Sequence, residues 1–194
     1  MRIISGEFRG RNINMIKSST TRPTMDKVRE SIFNIITPYM NKGTFLDLFA
    51  GSGSMGFEAL SRGVLKCYFN DQSFEAIKVI KSNIELLKVF DRTKVLKMDY
   101  RKCLRDINVK FDIIFLDPPY KMEVIDECLD LIVKYDLLNN DGIVICEYDK
   151  NYKLLDRTDL ELIKYVNYGI RNISIFRRTI WESVYIQDHL ILLH

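Results

Sequence analysis

The chain has 194 residues, 47% of them hydrophobic and 28% charged, with a formal net charge of +3, the make-up of an ordinary globular protein with one well-filled core. Residues 1–42 hold eight bases against three acids, a net of +5, so the remainder sums to −2, and a basic arm on a slightly acidic body suggests a polyanionic partner. Cys67, Cys103, Cys128 and Cys146 form no C-x-x-C pair, and both histidines, His189 and His194, lie at the C-terminal end. That argues against a disulfide framework and a Cys/His metal site, and for reduced core cysteines in a cytoplasmic protein. The start, M-R-I-I-S-G-E-F-R-G-R, lacks a signal peptide's apolar stretch, and no run approaches membrane-spanning length.

In chain order, residues 2–4 and 11–16 are short strand-like runs around Gly6 to Gly10, which predicts a small hairpin with basic exposed positions. Thr24 is the expected N-cap of a helix whose apolar positions are Val28, Ile32, Phe33, Ile35 and Ile36, ending near Pro38. From Thr44 onward strands (45–49, 67–70, 94–98, 113–116, 143–146) alternate with helices (54–62, 74–90, 100–107, 122–135). Strands apolar along their whole length predict a mostly parallel sheet covered on both faces. Residues 160–168 and 172–177 read as an antiparallel pair around Gly169. The expected division is an N-terminal hairpin and helix (1–42), a main α/β domain (43–178) and a C-terminal tail (179–194) to which no function is assigned.

The stretch 44–60, T-F-L-D-L-F-A-G-S-G-S-M-G-F-E-A-L, reads as a buried strand, a tight turn and a helix. Gly51 and Gly53 permit a sharp turn close to a ligand, with Ser52 or Ser54 as the helix cap. With Gly56 they satisfy G-x-G-x-x-G, a mononucleotide pattern that does not itself choose a cofactor. Acids mark four successive strand ends: Asp47, Asp71, Asp99 and Asp117. Asp71 follows Gly51 by about twenty residues, the offset of a carboxylate that accepts from a ribose diol. Four carboxylates would repel a dinucleotide's phosphates and suit the sulfonium of S-adenosylmethionine, with Asp99 near its adenine amine. D-P-P-Y, Asp117 to Tyr120, ends an apolar strand with two residues that lack N–H groups. The Asp117 carboxylate and Pro118 carbonyl form an acceptor pair for an exocyclic amine, and Tyr120 can stack on the base that carries it.

These residues, with R-I-I-S-G-E-F-R-G-R, R-P-T-M-D-K-V-R-E-S-I-F-N and G-F-E-A-L-S-R-G, resemble the bacterial 16S ribosomal RNA guanine-N2 methyltransferases of the RsmD type, over roughly residues 1–178. D-P-P-Y alone is shared with adenine-N6 enzymes, so the R-P-T-x-D-x-V-R-E segment gives the resemblance its specificity. The resemblance implies an α/β, Rossmann-like class I methyltransferase that moves a methyl group from S-adenosylmethionine to the N2 amine of a guanine in 16S rRNA, presented on a small-subunit assembly particle. It implies catalytic roles for Asp117, Pro118, Pro119 and Tyr120. Cofactor contacts fall to Thr24, Asp47, Phe49, Gly51, Gly53, Asp71, Asp99 and Asp117, and RNA contacts to Arg9, Arg11, Lys17 and Arg22. A monomer without metal or membrane attachment is expected. Where the family usually places Glu at the second strand end, this chain has Asn70 and Asp71, whose shorter carboxylate can still reach a ribose. The other readings weighed are adenine-N6 methyl transfer, which lacks a separate target-recognition domain; an NAD-dependent oxidoreductase, which leaves D-P-P-Y and the basic arm unexplained; and an RNA-binding protein without catalysis, against which the intact Asp117 argues.

Overall fold

A computed structural model describes residues 1–16, 23–40 and 43–178; Lys17, Arg22 and the 179–194 tail lie outside the described residues. A seven-stranded sheet has the order β3-β2-β1-β4-β5-β7-β6. Its strands are β1 (Thr44–Asp47), β2 (Lys66–Asn70), β3 (Thr93–Leu96), β4 (Phe111–Leu116), β5 (Leu138–Asp149), β6 (Leu160–Tyr168) and β7 (Arg171–Arg178). The first five run parallel, whereas β7 pairs antiparallel with both β5 and β6. The Rossmann-like class and the antiparallel C-terminal pair are as the sequence predicts. The N-terminal hairpin is reduced to one bridge, Arg2 to Asn12, flanked by backbone bonds between Ile3 and Arg11 and between Met1 and Ile13.

Strand alternation divides the apolar residues between two layers. Phe45, Ile113, Phe115, Ile143 and Ile145 pack against α1 (Pro23–Ile36), α2 (Ser54–Ser61) and α3 (Phe74–Leu87). Leu46, Ile114, Leu116, Val144 and Cys146 pack against α4 (Tyr100–Asp106) and α5 (Ile125–Lys134). Strands buried on both faces are apolar over most of their length, so their runs look continuous rather than alternating. All four cysteines are buried and free, as expected. No helix among the described residues is long and apolar enough to cross a membrane, and no group of three metal-ligating side chains comes together there.

Several boundaries differ from the predicted ones for local reasons. The first helix begins at Pro23, so Thr24 is helical and not the N-cap; proline at N1 gives up an N–H that has no intrahelical partner anyway. The third helix stops at Leu87 because Lys88 turns left-handed, at φ 58°. Glu123, also left-handed, separates a 3-10 turn (Tyr120–Met122) from α5, so the predicted 122–135 helix starts three residues later. β5 extends well beyond 143–146 because β7 pairs with it as far as Asp149.

The N-terminal segment shares its core with the sheet: Ile3, Phe8, Ile13, Val28 and Ile32 belong to the same cluster as Phe45 and Phe115. Polar bonds fix it further. The fully buried Glu58 carboxylate in α2 accepts from the N–H groups of Ile4 (2.8 Å) and Ser5 (3.0 Å) and pairs with Arg62 at 2.8 Å. Arg29 of α1 approaches Glu58 at 3.7 Å and donates to the Arg2 carbonyl and to Asp26. A buried carboxylate needs such company, since an unpaired charge away from water costs several kcal/mol, roughly. The Arg29 segment that gives the family resemblance its specificity is thus joined through Glu58 to the hairpin and α2.

Candidate active site

The sheet order reverses between β1 and β4, and an open cavity of about 370 Å³ lies beyond the carboxyl ends of both. This is where an open α/β sheet leaves room, because successive crossovers depart to opposite faces there. One wall carries Phe49, Gly51, Asn70, Asp71 and Met98; the facing wall carries Asp117, Pro118, Pro119 and Arg171.

The glycine turn assigns each glycine a different task. Gly51 has φ +54°, with open space where a side chain would project, and lines the cavity. Gly53, at φ +80°, is the N-cap of α2 and is not among the lining residues. A Cβ on Gly56 would lie 2.3 Å from the Phe69 ring and 2.5 Å from Cys67 Sγ, so this glycine permits close packing of α2 on β2. Neither Ser52 nor Ser54 is the cap. The Asp47 carboxylate beneath the turn accepts the Gly56 N–H at 3.1 Å instead, satisfying one of the helix's orphan donors. Asp47 is 2% exposed and, unlike Asp71, does not line the cavity. Burial, opposed by the Gly56 bond, pushes its carboxyl up to about 7.

Asp71 lies in the cavity as expected. Its carboxylate accepts the N–H groups of Gly51 (2.9 Å) and Ser73 (2.8 Å), tying the turn to the start of α3. Asn70, not selected from the sequence, is 1% exposed; its Nδ2 donates to the carbonyls of Leu48 (3.1 Å) and Met98 (3.2 Å), which fixes the amide orientation. Its Oδ1 has no partner among the described residues. A buried acceptor left without a donor beside a cavity marks a place for a ligand N–H or O–H. The Asp99 carboxylate caps α4 through the Arg101 N–H at 2.9 Å, and its neighbours Met98 and Tyr100 line the cavity. The Tyr100 ring stands 5.5 Å from that of Phe49, centroid to centroid, also on the cavity wall.

On the facing wall Asp117 and Pro118 follow Leu116, the last residue of β4, and Asp117 is half-buried. Burial and the nearby Glu147 carboxylate push the Asp117 carboxyl well above the ordinary range, with Arg171 acting in the opposite sense. Arg171 is hydrogen-bonded to the buried Glu147. Asp117, Glu147 and Arg171 also border a second cavity of about 60 Å³, together with Met1, Met15 and Arg29. The strand-end argument, extended one strand further, would have found Glu147 in C-E-Y-D; nothing local marks Arg171. Thr24 falls in the first turn of α1 and Tyr120 opens the 3-10 turn, and neither side chain is among those described. Arg9 and Arg11 are exposed on the hairpin, but Arg11 donates to the Leu86 carbonyl (2.7 Å) at the end of α3, so part of its fork serves the fold.

The site can hold a molecule with hydroxyl and amine donors on one wall and an amine-bearing group on the other. Comparison with known proteins agrees with a methyltransferase fold. The family model described as conserved hypothetical protein 95 matches residues 1–177. "Putative rRNA methyltransferase YlbH" of Bacillus subtilis is 41% identical over 182 residues, covering 92% of this chain and 99% of the relative. "Ribosomal RNA small subunit methyltransferase D" of Haemophilus influenzae is 32% identical, over 91% and 93%. A solved structure described as "Putative methyltransferase yhhF from Escherichia coli" superposes with a TM-score of 0.82 at 26% identity, over 92% of this chain and 97% of that one.

Proposed function

On the premise that this chain belongs to the conserved hypothetical protein 95 family, the RsmD type of methyltransferase, we propose that it transfers a methyl group from S-adenosylmethionine to the exocyclic N2 amine of a guanine in small-subunit ribosomal RNA. The observation that carries this reading is one cavity, at the reversal of strand order, with Asp71 and Gly51 on one wall and Asp117 and Pro118 on the other. The orphaned Asn70 Oδ1 supports the cofactor half, since adenosine brings N–H and O–H donors to a buried acceptor.

Bound there, S-adenosylmethionine supplies an electrophilic methyl group on a sulfonium. The chain's own residues do the rest. Asp71 accepts from the ribose diol while its backbone bonds keep it aimed, and the Met98–Tyr100 wall flanking Asp99 faces the adenine. Asp117 and the Pro118 carbonyl accept the two N2 hydrogens and turn the nitrogen lone pair toward the methyl group. Guanine N2 is a poor nucleophile because that lone pair is delocalised into the ring, so alignment carries more of the rate than base strength. A carboxylate whose affinity for a proton is raised by burial is also a fitting acceptor for the proton that N2 loses. Arg9, with Lys17 and Arg22 beyond the described residues, is proposed to meet RNA phosphates.

The test is transfer of labelled methyl to small-subunit particles lacking the modification, followed by nucleoside analysis. N2-methylguanosine is the expected product; labelled N6-methyladenosine, or none with active protein, overturns the reading.

A further inference from the structure

A base that reacts at Asp117 must leave its stack to get there, and a strand that gives up a base needs its backbone held close by. Beside that wall lies the start of the chain. Met1 borders the small cavity shared with Asp117, and the next residue, Arg2, lines a separate cleft of about 310 Å³. The cleft lies between the hairpin and α1, and its other lining residues are Ile3, Ile4, Arg9, Gly10 and Glu30. Its volume is that of a small ligand site.

The backbone around the cleft is fixed, whereas its charges are not. The Arg2 carbonyl accepts from Arg29 (2.7 Å), Arg2 bridges to Asn12, and the Ile3 carbonyl accepts the Gly10 N–H at 2.9 Å. The Arg2 and Arg9 side chains are exposed, and neither guanidinium has a hydrogen bond or an ion pair among the described residues. Glu30, the one acid of the cleft, is also exposed and pairs with neither arginine. Gly10, at φ +81°, leaves open space where a side chain would stand, so a bulky group can come up against the backbone. Two unpaired guanidiniums against one carboxylate leave a net positive charge, with forked donors of the geometry that a phosphate takes.

We propose that this cleft seats one phosphodiester of the RNA strand that carries the target base, gripped by Arg2 and Arg9 together. The proposal rests on the ribosomal RNA reading above and adds to it Arg2 and a contact that two arginines share. Glu30 opposes the phosphate, so its neutralisation strengthens the grip.

The test is the binding of small-subunit particles that lack the modification, measured by filter retention across a range of KCl concentrations. Arg2→Ala is expected to flatten the plot of log affinity against log salt by about one, the signature of one phosphate. Arg9→Ala does the same, and the double variant flattens it by about one and no more, because both side chains act on one group. Arg2→Lys, which keeps the charge, holds the wild-type slope, and Glu30→Gln tightens binding by about twofold or more. Cofactor Kd stays unchanged throughout, which also shows that each variant is folded. A slope that Arg2→Ala leaves intact overturns the proposal and leaves the cleft to another anion, such as an acidic peptide. A double variant that flattens the slope by about two overturns it as well, since the arginines then meet separate phosphates. Weaker binding by Glu30→Gln overturns it by making the carboxylate a reader of donor groups. The methylated product is a separate readout: labelled N6-methyladenosine removes the guanine reading and leaves the phosphate site standing, whereas wild-type protein that does not bind the particles removes both.

Discussion

The two walls of the cavity are built differently. At the ends of β1 and β2 the polar groups are fixed by backbone: Asp71 by the N–H groups of Gly51 and Ser73, Asn70 by the carbonyls of Leu48 and Met98. At the ends of β4 and β5 and the start of β7, the Arg171 guanidinium is bonded to the Glu147 carboxylate, and burial with Glu147 nearby raises the proton affinity of Asp117. The first arrangement has little freedom and suits holding a ligand of constant shape. The second keeps its charges responsive to what enters, which suits chemistry at a base that must be admitted and released.

Substitutions should therefore separate the walls. The largest effect is expected at Asp117: Asp117→Ala should lower methyl transfer about 10²-fold or more while isothermal titration finds cofactor Kd almost unchanged. Equal loss of both would merge the two walls into one. The pH profile sharpens the same point. In the proposed mechanism Asp117 accepts the N2 hydrogens as the carboxylate, so the rate should fall as pH drops through its raised pKa, at a pH above that of an ordinary aspartate, and the profile should flatten in Asp117→Asn.

Next in size is Asp71→Ala, which removes a charged acceptor and should weaken cofactor binding by about ten- to a hundredfold while kcat at saturating cofactor changes less. A smaller effect is expected at Asp47, outside both walls. Its folded-state carboxyl titrates near 7, above its unfolded value, so the fold binds the extra proton and loses stability as pH rises from about 4 toward 7. Asp47→Asn keeps an acceptor for Gly56 and should stabilise the chain at pH 8 by about 1–3 kcal/mol, a gain that thermal unfolding should show vanishing near pH 4. The smallest effects lie on the hairpin. Arg9→Ala should reduce the salt slope of RNA binding by about one. Arg11→Ala should chiefly lower the unfolding midpoint, because its guanidinium bonds the end of α3.

Much of this was legible in the sequence, and the failures follow one rule. Strand and helix identities, the parallel core and the cavity-lining places of Gly51, Asp71 and Asp117 depend on local periodicity and on the strand-end rule of open sheets. Asp47 and Asp99 occupy equally suggestive positions, yet each carboxylate meets the N–H groups at the start of a helix. Only the path of the chain after each strand decides whether an acid caps a helix or faces the cavity. Asn70 enters the sequence reading only as a departure from the family's usual glutamate, and its value lies in an amide whose Nδ2 is bonded to two carbonyls while its buried Oδ1 is left without a partner among the described residues.

The sequence by itself determined the fold class, the glycine turn and the place of Asp117 and Pro118 on the cavity, because each is written in residues that are neighbours along the chain. Tertiary structure alone decided which of four strand-end acids face the cavity. It also decided that Arg29 and Glu58, 29 residues apart in the sequence numbering, fasten the hairpin, and that Arg171 stands beside Asp117. Those relations depend on strand order and on the register of β7 against β5, which no local pattern encodes.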